Sequence, residues 1–322
     1  MNIIAYSLKR TIEAIPLLIL VSIISFTIIK LSPVDPLAEL KLNPNITAQT
    51  LELEKQRLGL DLPFYQQYIH WGWNFTKGNL GVSTSGEPVI NRLAERIPNT
   101  LLLSFTTIFM TWLVGLPLGI YAALNWRKPV DRVLTVLSSV GMAIPSFFFA
   151  LLLLVFAVKT GWFPVGGLTS VGFENFSPLH KIVDVIHHLI LPTTVLFTIS
   201  LAGLQRQIRA NLLDVLESDY VKMAKAKGLS ENTVVYKHAL RNAINPMVTL
   251  LGFEFASLLS GAALTEYVFQ YPGLGRLVLE AVMKSDINLV MASLMIGSIM
   301  LVMGNLIADI LLHIVDPRIG GN

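Results

Sequence analysis

Six long apolar runs limit how this 322-residue chain can fold more than any other feature. The first run, residues 11–31, contains only two charged residues, Glu13 and Lys30. At ~1.5 Å per residue it spans roughly 31 Å, which matches the hydrocarbon core of a bilayer. The other runs cover residues 100–124, 133–158, 189–204, 247–269 and 289–315. They predict an all-α integral membrane protein with six transmembrane helices, and we expect the short fourth helix to continue past Arg206.

Composition supports a membrane protein. Hydrophobic residues make up 53% of the chain and charged residues 14%, with a mean hydropathy of +0.62. A soluble protein would carry about a quarter charged residues. The first run is too long for a signal peptide and no cleavage pattern follows it, so we expect a retained helix. The absence of cysteine excludes a disulfide framework and a thiolate metal site.

Basic residues in the short loops predict the orientation, because cytoplasmic loops are enriched in Lys and Arg. Those on the predicted cytoplasmic side are Lys9, Arg10, Arg127, Lys128, Arg132, Arg206, Arg209, Lys222, Lys225, Lys227, Lys237, Arg241 and Arg318. The opposite side carries fewer. Both termini and the loop at residues 206–246 are therefore predicted to be cytoplasmic.

A sizeable extracytoplasmic segment follows the first helix. It covers residues 32–98, and turn residues divide it into short predicted helices at residues 47–58 and 64–77. Trp71, Trp73 and Phe75 suit a helix at the headgroup level or one packed on the bundle. We therefore divide the chain into residues 1–98 and a five-helix core, residues 99–322.

The loop before the fifth run predicts two short helices joined at a glycine. Ser218 or Asp219 can cap the first helix and Ser230 the second. Gly228 fits the left-handed position that ends a helix, and Pro246 is expected to break the chain before the next span. The small residues beside this turn would let another backbone approach closely. A solvated connector with no partner is the alternative from pattern alone.

This loop resembles the "EAA" coupling loop of ABC-importer permeases, in the form used by dipeptide, oligopeptide and nickel systems. The matching residues are Ala224, Lys225, Ala226, Lys227, Gly228, Leu229, Ser230, His238, Ala239, Leu240, Arg241, Asn242, Ala243 and Pro246. Lys222 stands at the acidic position of the generic motif and Met223 at its first alanine. This departure puts in doubt any salt bridge that the generic acid would make.

The resemblance extends over essentially the whole chain. Residues 58–63 and 78–83 are similar to the family's outer segment, and residues 316–319 with Asp309 to its C-terminal ending. Pro272, Gly273 and Gly275 are similar to its last outer loop. The family's usual Asp-Tyr-Pro reads Asp286, Ile287, Asn288 here. The resemblance implies a type I ABC importer permease fold with a transport core at residues 99–322.

The resemblance also implies partners. The chain has no G-x-x-x-x-G-K-[ST] motif, so it cannot bind ATP phosphates in a P-loop, and we expect no enzyme activity and no bound cofactor. Two cytoplasmic ATPase subunits would bind ATP and Mg²⁺ and push on the coupling loop. A second homologous permease, giving a heterodimer, and an extracytoplasmic solute-binding protein would complete the importer in the bacterial inner membrane. Lipid is expected as a partner and nucleic acid is not.

Residues inside the predicted spans are candidates for the pathway or for an interface. A carboxylate in apolar surroundings needs a partner or water, which singles out Glu254, Glu266 and Asp309.

The GxxxG spacing of Gly115 and Gly119 predicts close helix packing. Kinks are predicted at Pro117, Pro145 and Pro192. The adjacent residues His187 and His188 suggest possible nickel ligands. Neighbouring residues of a helix do not share a face, so we predict no metal site.

The leading hypothesis is import of di- or oligopeptides. A nickel or metallophore permease of the same family is the alternative, because the outer segments of the two branches look alike. A channel not driven by ATP is a second alternative, although it gives no reason for the coupling loop. Glutathione also remains open as solute.

Overall fold

The fold is a bundle of long helices. The computed structural model describes residues 3–31, 37, 41, 46–57 and 61–315 of the 322. The helices in these residues are α1 (Ile3–Leu31), α2 (Ala48–Arg57), α3 (Phe64–Thr76), α4 (Val89–Leu124), α5 (Pro129–Ala143), α6 (Ser146–Thr160), α7 (Pro178–Leu216), α8 (Asp219–Ala226), α9 (Leu240–Val268), α10 (Leu274–Met283) and α11 (Ile287–Val315). A π-helical segment, Thr233–Ala239, precedes α9. The all-α prediction is confirmed.

Four helices in the described residues are long and apolar enough to cross a membrane on their own: α1, α4, α7 and α11. A fifth candidate is the pair α5 and α6, which is bent by 95°. Helix α9 has 29 residues and covers most of the fifth predicted span. An integral membrane protein is therefore confirmed, whereas the count of six spans stays a prediction.

Proline has different effects in three of these spans. At Pro145 the predicted third span separates into α5 and α6, because proline cannot donate the backbone hydrogen bond that would continue the helix. Pro192 lies inside an uninterrupted α7, which extends past Arg206 as predicted. Pro246 was expected to break the chain, and this prediction is wrong: α9 begins at Leu240 and runs through it.

The centre of the bundle is the contact between α4 and α7, which have the most extensive packing of any helix pair in the described part. Two glycines make this contact possible. A methyl group on Gly119 would lie 2.7 Å from Cβ of Ile208, and one on Gly115 would lie 3.0 Å from Cδ2 of Leu204. The predicted close packing at this GxxxG pair is confirmed.

The two short helices predicted at residues 47–58 and 64–77 are present as α2 and α3, each within one residue of the predicted bounds. Helix α4 runs continuously across residue 98, where we divide the chain. Two other helices complete the packing of the bundle: α9 contacts both α7 and α11, and α1 lies along α11.

Candidate functional site

The coupling segment, residues 218–242, has the predicted helix–turn–helix geometry. Helix α8 ends before Gly228, whose φ of +77° is the left-handed conformation that glycine adopts without strain. The amide of Gly228 donates to the carbonyl of Lys225 at 2.9 Å, which closes the turn. Ser230 caps the next helical stretch, because its Oγ accepts from the amide of Thr233 at 3.4 Å. Ser218 makes no such cap, and its hydroxyl donates to the carbonyl of Val215 instead.

One face of the coupling segment is its own hydrophobic core. Val221 and Ala224 are 0% and 8% exposed, and they pack with Val234, Ala239 and the C-terminal part of α7 at Leu212. Ala224 is thus buried within the chain, and its predicted role in coupling stays a prediction. Its small side chain lets α8 approach the bundle, so it anchors the segment.

The opposite face is exposed. The exposed residues include two acids, Asp219 and Glu231, together with seven of the predicted coupling residues and three larger neighbours: Lys222, Ala226, Lys227, Gly228, Leu229, Ser230, Arg241, Met223, Lys225 and Tyr236. A Cβ placed on Gly228 would meet no atom within 4 Å, so the apex of the turn is open to solvent. This mixture of apolar and basic side chains suits a protein surface that has a groove for the turn and acidic groups around it.

The two remaining predicted residues stabilise the return of the chain into α9. Asn242 donates from Nδ2 to the hydroxyl of Tyr220 at 2.7 Å, which joins the start of α8 to the first turn of α9. His238 is half-buried in the π-helical segment. Single π turns inside α-helices are frequent at functional sites, since they loosen the regular backbone ladder.

A salt bridge that sequence reasoning missed joins α5 to α7 near the end of α7 on which the coupling segment packs. Arg209, near the end of α7, donates from Nε and Nη2 to the carboxylate of Asp131 at 2.5 and 2.9 Å. The backbone amide of Arg127 donates to the same carboxylate at 3.0 Å. Paired hydrogen bonds between guanidinium and carboxylate are strong and directional. They hold the loop before α5 against α7, near Leu212, on which the coupling segment packs.

At the other end, Glu266 is the centre of a buried junction. Its carboxylate is fully buried and accepts from the hydroxyl of Thr100 at 2.9 Å and from the amide of Arg276 at 2.9 Å. Thr100 in turn accepts from the amide of Leu274 at 2.6 Å. A carboxylate at a helix N-terminus satisfies amides that have no partner within the helix. Glu266 therefore joins α4 and α9 to the start of α10.

The predicted outer-loop residues form this junction by close backbone approach. A methyl group on Gly273 would lie 2.3 Å from Cδ of Glu266, and one on Gly275 would lie 2.6 Å from Cα of Ala263. The carbonyl of Pro272 accepts from Asn99 at 2.8 Å. Tyr271 donates its hydroxyl to the carbonyl of Asn99 at 2.7 Å, and burial with the nearby carboxylate raises its pKa. Gly273, Gly275 and Tyr271 thus pack the segment before α10 against α4 and α9.

Glu254, the other carboxylate of α9, is only partly buried. Its Oε2 accepts from the indole Nε1 of Trp112 at 3.0 Å, and Ser200 contributes a second hydrogen bond. It therefore lies where α4, α7 and α9 meet, with part of its surface accessible. The backbone of Asp309 belongs to α11, but its side chain lies outside the described part of the structure, as do residues 316–319.

Asp286 is a second buried junction that sequence reasoning set aside. Its Oδ1 accepts from the amide of Leu289 at 3.1 Å and so caps α11, while Oδ2 accepts from the hydroxyl of Ser83 and the amide of Thr84. The signal was available in the sequence, since an aspartate directly before an apolar helix is a typical cap that accepts from the amide three residues later.

The adjacent histidines have different partners. Nε2 of His187 lies 2.9 Å from the carbonyl of Trp162, and Nδ1 of His188 lies 2.9 Å from the carbonyl of Asp184. The carboxylate of Asp184 accepts from the amide and hydroxyl of Ser170. Among the described residues, no group of three or more acidic or histidine side chains is arranged to hold a metal ion.

Comparison with known proteins covers almost the whole chain. Residues 115–321 match the family of binding-protein-dependent transport system inner membrane components, and residues 3–104 match the family describing the N-terminal part of such components.

Curated relatives match over nearly their full length. The oligopeptide transport system permease protein AppB of Bacillus subtilis is 41% identical over 318 residues, covering 98% of this chain and 99% of the relative. The glutathione transport system permease protein GsiC of Escherichia coli K12 is 37% identical, and a probable peptide ABC transporter permease protein of Sinorhizobium fredii is 36% identical, each covering 98% of both chains.

Proposed function

This chain belongs to the family of binding-protein-dependent permeases, the inner-membrane subunits of ABC importers, and we propose that it passes di- and oligopeptides across the bacterial cytoplasmic membrane. The observation that carries the solute class is the full-length similarity to relatives named for oligopeptide and glutathione transport. Glutathione is itself a short peptide. The sequence identity to these relatives extends over the whole chain, so it includes the helices that would line the path of the solute.

The exposed face of the coupling segment is the proposed docking site for an ATPase. Its apex at Gly228 is unobstructed, and lysines surround it. A push on α8 would reach α7 through the packing of Val221 and Ala224 on Leu212, and would pass from α7 to α5 through the salt bridge between Arg209 and Asp131. ATP-driven closure of the partner subunits would then favour one of two bundle states.

The orientation and the other partners follow from the two ends of the bundle. We place the coupling segment and both termini in the cytoplasm, on the basis of the loop charges. The junctions at Glu266 and Asp286 would then lie on the outer side and hold the surface to which a solute-binding protein docks. A second homologous permease and two ATPase subunits would complete the assembly.

The path is proposed to pass Glu254. This carboxylate retains accessible surface at the junction of three membrane helices, whereas Glu266 is enclosed and fully occupied by donors. A peptide carries an ammonium group that such a carboxylate can attract.

Uptake assays in cells test the solute class. A strain deleted for this gene should lose accumulation of labelled di- and tripeptides and regain it when the gene is restored. Accumulation of ⁶³Ni²⁺ should be unchanged. Loss of nickel uptake with intact peptide uptake would contradict the peptide proposal and favour the nickel alternative.

A further inference from the structure

Helix α3 is attached to the outer part of α1 by one aromatic flank. The ring centroids of Phe64 and Tyr68 lie 5.4 and 5.5 Å from that of Phe26, both edge-on. The hydroxyl of Tyr68 lies 2.7 Å from Oγ of Ser22, so α3 also has a polar contact with α1. These contacts fix which side of α3 faces the bundle.

The remaining surface of α3 divides into two different flanks. With ~100° between successive residues, Tyr65, Ile69 and Trp73 fall together on one flank. They are 61%, 62% and 62% exposed. The adjoining flank is also exposed but polar, and it carries Gln66, His70 and Lys77. The helix thus has a packed, an apolar and a polar side.

We propose that α3 lies in the membrane interface, with the flank formed by Tyr65, Ile69 and Trp73 immersed in lipid. The first argument is position beside a membrane-spanning helix. Along α1, Ile24, Ile28 and Leu31 are exposed and apolar, and a membrane-spanning helix presents such side chains to lipid. These side chains lie on the face of α1 opposite Phe26. Because α3 packs on the Phe26 face, it lies beside the same length of this spanning helix.

The second argument is depth. The ammonium of Lys30 lies 5.9 Å from the centre of the Phe26 ring, so a charged group of α1 is level with the contacts of α3. Lysine near the end of a spanning helix reaches the headgroup region. That level is where tyrosine and tryptophan are enriched in membrane proteins.

The third argument is the chemistry of the flank. Tyr65 and Trp73 each combine an apolar ring with a polar atom, and Nζ of Lys77 lies 4.8 Å from the centre of the Trp73 ring. The lysine can extend toward headgroup phosphates while the indole stays at the acyl boundary. An interfacial helix of this kind would fix the height of the outer segment above the bilayer.

Spin labelling tests the proposal directly, because the chain has no cysteine to remove. Single variants Ile69→Cys and Tyr65→Cys report on the apolar flank, and the neighbouring His70→Cys and Gln66→Cys are the matched controls on the polar flank. Each variant is purified with the subunits that accompany this chain, reconstituted in phospholipid nanodiscs, and labelled. Collision rates with oxygen, which concentrates in lipid, and with a water-soluble nickel chelate are measured.

The ratio of oxygen to chelate collisions should be several-fold higher at positions 65 and 69 than at 66 and 70. Equal ratios on both flanks, with free access of the chelate, would place α3 in water and overturn the proposal. Shielding of positions 65 and 69 from both reagents would identify a protein partner on this flank and would also overturn it.

Discussion

Gly275 is the residue at which the Glu266 junction depends on a close approach between backbones. A methyl group there would lie 2.6 Å from Cα and 3.0 Å from the amide nitrogen of Ala263, and both are backbone atoms of α9. A flexible side chain could move away, but a membrane helix held by the Glu266 junction cannot shift locally without disturbing that junction. The glycine therefore sets the distance between α9 and α10.

Replacing Gly275 with alanine should lower stability, because overpacking at a rigid contact costs about 1–3 kcal/mol. The measurement is the thermal midpoint of the purified variant in detergent. Gly297→Ala is the matched control, since a Cβ there meets no atom within 4 Å and alanine favours a helix. Equal thermal midpoints for Gly275→Ala and Gly297→Ala would contradict a close approach between Gly275 and the backbone of Ala263.

At the scale of elements, the coupling segment has one face packed against the bundle and one face exposed to solvent. The face around Val221 and Ala224 packs on the C-terminal part of α7, and the face around Ala226 is exposed. Periodicity in a segment of eight residues cannot distinguish these faces reliably, because both carry small residues. The distinction depends on the long-range contact with α7.

Cysteine labelling of this element should separate its two faces. Without the ATPase subunits, Ala226→Cys should react quickly with a hydrophilic maleimide and Ala224→Cys slowly, because Ala224 is buried. Assembly with the ATPase should slow the reaction at position 226 several-fold. Val171→Cys, at a fully exposed position between α6 and α7, should react equally in both states. Rapid labelling at position 224, or no protection at 226, would contradict the assignment of faces.

Local pattern was enough to predict the long helices, the glycine turn and the close packing of Gly115 and Gly119, but not α10, which lies in the last predicted outer loop. It predicted α3 to within one residue, since turn residues bound that helix on both sides. It predicted a kink at Pro145 but not its size of 95°, because proline permits anything from a kink to a break and tertiary packing decides. The bond between Asp131 and Arg209 joins residues 78 positions apart, and no local signal marks it.

At the scale of the whole molecule, the polar junctions are gathered toward the two ends of an apolar bundle. One end contains the Arg209–Asp131 salt bridge and the coupling segment, and the other contains the carboxylates of Glu266 and Asp286. The long α4–α7 pair connects these ends. A push at one end can therefore reach the other through continuous helices.

The central claim is that ATP hydrolysis by partner subunits drives peptide import through this chain, and that the turn at Gly228 transmits it. The most direct measurement is accumulation of a labelled peptide in proteoliposomes that contain the assembled importer, with ATP supplied to the ATPase side. Gly228→Trp is compared with Gly228→Asn, because asparagine tolerates the left-handed backbone and adds less bulk.

We predict ATP-dependent accumulation by the unmodified importer, substantial activity with Gly228→Asn, and near-complete loss with Gly228→Trp while thermal stability of the chain is retained. ATP hydrolysis by the Gly228→Trp importer should no longer respond to the peptide-loaded binding protein. Undiminished uptake by the Gly228→Trp importer, or accumulation that does not require ATP, would contradict the account.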